Sequence, residues 1–110
     1  MSAQSAMAGA MPKRSTRLFC QRADDGTYCH FAPHPIVVRM YGSKREIFGA
    51  TVIEAADETS GYWAWWDNER AEFMFVYPHR SLVEMCFTYG SAIEEKHGRG
   101  LLLPVTIVPD

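Results

Sequence analysis

GYWAWWDNERAEFMFVY, residues 61–77, sets two runs of aromatic and β-forming residues on either side of a charged Asp67-Asn68-Glu69-Arg70 turn. This is the pattern of a β-hairpin. With an even number of loop residues, parity places Tyr62, Ala64, Trp66, Ala71, Phe73, Phe75 and Tyr77 on one face and Trp63, Trp65, Glu72, Met74 and Val76 on the other. The first face is purely apolar and claims the core. The second is aromatic but carries Glu72, whose complete burial is costly without a partner. Trp63 and Trp65 together present roughly 300 to 500 Å² of surface. One helix covers one face of one sheet, and the Phe73 face has the stronger claim on it. The Trp face then needs a second layer, a curled sheet or a binding partner.

Upstream, RLFCQRADDGTYCHFA (residues 17–32) predicts two strands, near 17–23 and 27–32, around Asp25-Gly26, a type I′ turn signal. Pro33-His34-Pro35 interrupts as a connector. Ile36 to Tyr41 is rich in β-branched residues and, with Gly42-Ser43-Lys44 as a turn into Arg45–Ala56, predicts a second hairpin. Residues 1–16, mostly Ala, Ser, Gly and Met without a period, read as a flexible tail, leaving one domain over 17–110.

Downstream, Ser81-Leu82-Val83-Glu84 matches a capping box and opens a helix over about 81–97. Leu82, Met85, Cys86, Tyr89, Ala92 and Ile93 form its apolar stripe, and Lys96, His97 and Gly98 suit its end. Leu101 to Val108 reads as a strand that Pro104 confines to a sheet edge or to a position where its missing N–H faces outward. Successive hairpins, then a helix, then a strand predict an α+β fold: a mostly antiparallel sheet of six or seven strands with one helix packed on it.

A chain of 110 residues supports a single core. The net charge of −2 conceals an asymmetry: seven Lys/Arg against two Asp in residues 1–45 give +5, and four against eleven acidic residues in 46–110 give −7. Three scattered cysteines, Cys20, Cys29 and Cys86, do not form a disulfide framework and point to a reducing compartment. With no apolar run of spanning length, the expected location is cytoplasmic, the host cytoplasm for a phage-encoded protein.

Chemical motifs are scarce. Cys20, Cys29, His30 and His34 are zinc-type ligands, but Cys29 and His30 are consecutive in a strand and project to opposite faces. No metal or cofactor is expected. Cys86 lies on an apolar helix stripe, where a thiol is protonated and inert. His79-Arg80-Ser81 is half of a paired His-x-Ser signature whose second half is missing, and Ser81 serves as a cap. No catalytic residue is assigned, and a small enzyme working around His79, His34 or Cys86 is the third reading.

Two binding readings come ahead of it. The first is a non-enzymatic protein-binding module whose interface candidates are Trp63, Trp65, Glu72, Met74, Asp67 and Glu69. A homodimer is compatible with it. In size and style the chain resembles the small accessory proteins of phages and mobile elements, which inhibit host systems, CRISPR-type defences included, stoichiometrically. The second is a nucleic-acid binder using Arg17, Arg22, Arg39, Lys44, Arg45 and Tyr41, where cations interleave with aromatics.

Overall fold

A computed structural model describes residues 13–90 and 100–110. Its first unit is the hairpin of β1 (Ser15–Arg22) and β2 (Tyr28–Ala32). The strand thus begins inside the tail expected to reach residue 16. Asp24-Asp25-Gly26 closes a three-residue loop, with Ala23 N donating to Thr27 O at 2.8 Å. The expected type I′ turn needs two successive left-handed residues. Asp25 instead accepts a hydrogen bond from Thr27 N (2.9 Å), and Gly26 takes the left-handed position at φ +90°.

Ile36 to Tyr41, expected as a strand, is instead dominated by a short helix, α1 (Pro35–Arg39). Proline at the first helical position is pre-set in φ and loses no hydrogen bond there. Val38 N bonds to His34 O and Met40 N to Ile36 O. Helical geometry buries Val38 completely while exposing Ile36 and Met40. Burial of one valine and the proline start outweigh the β preference of Ile36-Val37-Val38. The second hairpin is therefore absent, and its return arm survives as β3 (Phe48–Glu54).

A 3₁₀ turn, Glu58–Ser60, capped by the Asp57 carboxylate on Thr59 N (3.0 Å), leads into β4 (Tyr62–Asp67) and β5 (Glu72–Tyr77). The intervening loop has four residues, as parity required, with Asp67 paired to Glu72. Asp67 Oδ1 accepts from Glu69 N and Arg70 N, at 2.9 and 3.1 Å, so its carboxylate shapes the turn from within.

With β6 (Gly100–Pro109), the six strands form one antiparallel sheet in the order β2-β1-β3-β6-β4-β5. The class is α+β as expected, and of the two places open to Pro104 the chain takes the second, because β6 is central and not an edge. Pro104 is tolerated because β3 pairs only with residues 105–109, while 100–105 pair with β4. The Pro104 carbonyl points toward β3, accepting from Ala55 N just past that strand's end. Its ring nitrogen faces the same side, where no ladder partner remains to miss an N–H.

The sheet curls until β2 and β5, at opposite ends of the order, touch. Phe73 N donates to Thr16 Oγ1 (2.7 Å) and Tyr28 N to Tyr62 Oη (2.9 Å), joining strands that are not ladder neighbours. Leu18, Cys20, Ala50, Val52, Ala64, Phe73, Val105 and Ile107 share the enclosed core. Because the sheet covers its own Phe73 face, α2 (Arg80–Gly90) packs on the Trp face, reversing the expected assignment. Trp65 and fully buried Val83 form its centre, with Trp63, Met74, Phe75 and Leu102 around them. The expected continuation of this helix to residue 97, and Gly98 at its end, lie outside the described residues. Among the described residues no helix is long and apolar enough to cross a membrane.

Parity holds along β4 and fails in β5. Trp65 pairs with Met74 but Trp63 with Tyr77, which leaves one extra residue on β5. Phe75 sits at φ +55°, Val76 turns into the core, and Phe75 joins Met74 near α2. This is a β-bulge, and it redirects side chains on an edge strand.

Candidate functional site

The two edges that meet without a shared ladder leave a groove of about 360 Å³ between β2, β5 and α1. Leu18, Phe73 and Val76, all core residues, line it together with His30, Phe31, Val37 and Tyr41 from one side and Met74, Phe75 and Tyr77 from the other. Arg70 and Glu72 line it where β5 begins. Pockets of this size and apolar character are where small proteins hold ligands or the anchoring side chains of partners.

One wall is held by a polar network that burial makes rigid. Gln21 has no exposed surface, and its amide nitrogen donates to Arg45 O at 2.8 Å. Its Oε1 therefore faces His30 Nδ1 at 2.7 Å, and Nδ1 carries the proton. His30 is itself in a bulge, at φ +58°, and its ring stacks on Tyr41 with centroids 5.0 Å apart. Strained non-glycine residues thus stand on both edges of the groove, His30 and Phe75. The opposite wall ends in Tyr77, whose ring is partly exposed. Burial, and then the neighbouring Cys86 and Tyr41 side chains, raise the Tyr77 hydroxyl above its usual range.

The interface candidates named from sequence separate in space. Trp65 is 8 % exposed and Asp67 5 %, so neither offers surface to a partner in this fold. Trp63 is half-buried, with the Arg80 guanidinium 5.2 Å over its ring. Met74 is half-buried between α2 and the groove, Glu72 lies on the groove itself, and Glu69 sits on the exposed turn. The residues that sequence reasoning missed are Ile36, Val37, Met40 and Tyr41, of which only Tyr41 was singled out, and that for nucleic acid. Reading Pro35 as a helix start would have turned Ile36 and Met40, four apart, onto one face.

The four arginines of the basic set each bond within the chain. Arg17 forms a two-bond pair with Asp110, Arg22 donates to the Tyr28 hydroxyl, and Arg39 donates to Ser43 O at 2.9 Å. Arg45 lies 3.2 Å from Asp24. Cations already paired within the chain contribute less to phosphate contact.

For nucleophilic chemistry the thiols are set the wrong way. Burial pushes Cys20 up to about 12 and also raises Cys29 and Cys86. Cys86, half-buried, donates from Sγ to Leu82 O at 3.4 Å. His34 and His79 are exposed, and among the described residues no three His, Cys, Asp or Glu gather to hold a metal ion. Cys20 does have a consequence for stability. Unfolded thiols ionise near 8.5, so in the interval up to about 12 the native chain holds the extra proton and stability falls as pH rises. Urea midpoints are expected to hold to about pH 8 and decline from about 9 upward, with a smaller decline in Cys20→Ala.

No protein family, curated protein or solved structure matches this chain.

Proposed function

We propose that this protein is a non-enzymatic binding module that acts by covering a protein partner's surface, with α1 and the rim of the groove as its contact face. The observation that carries this reading is the exposure of Ile36 (75 %) on α1 and Met40 (77 %) at its C-cap, beside Val37, Tyr41 and Tyr77. Large apolar side chains gathered beside a groove, rather than scattered singly, mark interaction sites. Aromatic and methionine side chains are the types that interfaces favour. In a phage or mobile element, such a module serves as a stoichiometric inhibitor of a host complex.

The test is affinity capture from the source cell with wild type, Ile36→Asp, Met40→Asp and, as a control in the 3₁₀ turn, Glu58→Ala. Both aspartate variants change exposed positions and are expected to stay within about 0.5 kcal/mol of wild-type stability. They should lose the specific partner that wild type and Glu58→Ala retain. Equal capture by all four would place the contact face elsewhere.

A further inference from the structure

We propose that the contact face closes on a second copy of this chain about a two-fold axis, Arg70 of each protomer meeting Glu72 of the partner subunit. The inference rests on reading α1 and the groove rim as a protein-binding face, and it names the partner.

Charge carries the argument. Arg70 and Glu72 both line the groove where β5 begins, and among the described residues neither side chain makes an ion pair or hydrogen bond. Glu72 is nonetheless half-buried, and a carboxylate withdrawn from water costs free energy until a cation or donor reaches it. In a two-fold contact, residue i meets residue j and j meets i. A plus and a minus lying two residues apart are therefore self-complementary, and one such pair yields two bridges across the axis. An unrelated partner would need to present its own matched pair at the same spacing.

Shape agrees. Ile36 and Met40 project from the helix whose Val37 and Tyr41 line the hollow. A projection beside a depression lets each copy seat its own α1 over the other's groove. Insertion of an extended strand fits less well, because the His30 and Phe75 bulges interrupt both edges along the groove. Bulges are a standard defence against edge pairing. Contact between side chains remains.

Sedimentation velocity on the full chain, from about 1 to about 200 μM, reads the association directly. Wild type is expected to dimerise with increasing concentration, more weakly at high salt as screening grows. Arg70→Glu and Glu72→Arg alone should each weaken the dimer at least about tenfold, because like charges then face one another. Mixed in equal amounts, the two single variants should form heterodimers, and the double variant Arg70→Glu/Glu72→Arg should recover self-association. Unchanged thermal midpoints will show that each variant folds. A wild type that stays monomeric over the whole range overturns the proposal, as does a single variant that dimerises as tightly as wild type. If Met40→Asp loses a host partner while wild type is monomeric, the binding-module reading stands and the second copy falls.

Discussion

Trp65→Ala is expected to lower stability by about 3–5 kcal/mol, the range for removing a large buried aromatic side chain. For a domain of this size that is a drop of more than about 10 °C in the thermal midpoint. The side chain is only 8 % exposed and lies between β4 and α2, against Val83 and within reach of Trp63, Met74, Phe75 and Leu102. Its loss removes the surface on which the helix rests and leaves a cavity the sheet cannot close, since β4 is held on both sides by β5 and β6. Trp63→Ala should cost less, because that ring is half-buried and its cap is an arginine. Urea titration of the two variants, with Val83→Ala and the Trp65→Ala/Val83→Ala pair, checks this. The double variant should lose less than the sum of the singles, as residues in direct contact do. A Trp65→Ala protein with the wild-type midpoint would mean that α2 is not seated on this face.

Gly100→Ala should be nearly as damaging, for the opposite reason. A Cβ at this position would stand 2.6 and 2.7 Å from Trp65 Cε2 and Cζ2, and closer still to the Trp66 carbonyl oxygen. The carbonyl belongs to the β4 ladder and cannot move without breaking the pairing of Trp66 with Leu101 and Asp67 with Gly100. Overpacking costs typically 1–3 kcal/mol, and a clash with backbone belongs at about 3 kcal/mol or above. Gly49→Ala makes the useful comparison. There the new methyl meets Arg17 Nη2 and Asp110 Oδ2, the ends of flexible side chains that can swing away. It should cost the Arg17–Asp110 pair and little more, and an exposed pair contributes little to stability. Equilibrium unfolding of the two variants side by side decides the matter, and equal losses would refute the distinction between backbone and side-chain neighbours.

The parts of the fold that local chemistry determines were legible in the chain. Aromatic runs around Asp67-Asn68-Glu69-Arg70 predict β4 and β5, and the structure has both, with the even loop on which the facing of their side chains was conditional. The helix near residue 81 and the strand after residue 100 follow from periodicity and composition in the same way, although the helix begins at Arg80, one residue before the Ser81 expected as its cap. What failed depended on distant parts of the chain. Ile36-Val37-Val38 has β-branched propensity, and only the core available to Val38 makes it helical. Pro104 by itself leaves open an edge or a position without a partner for its nitrogen, and only the end of β3 at Glu54 decides for the second, in the centre of the sheet. The hairpin leaves its Trp face open to a second layer, a curled sheet or a partner, because on an uncurled sheet the Phe73 side claims the helix. Curling removes that claim, and no residue of the hairpin encodes it. The candidate site was the least legible part, since it lies between strands at opposite ends of the sheet order and owes its exposed side chains to the helix that propensity concealed.

The central place of β6 also sets the order in which the molecule can be assembled. Strands β2, β1 and β3 come from one stretch of chain and β4 with β5 from another, so each group can pair locally as it leaves the ribosome. No strand ladder joins the groups until residues 100–109 arrive, when Glu54 meets Val105 and Trp66 meets Leu101 in a single strand addition. Until then two half-sheets each expose the edge that β6 will occupy. Pairings of such wide sequence separation slow folding and leave open edges liable to aggregate. For this protein, that interval between synthesis of β5 and arrival of β6 is the period of greatest vulnerability.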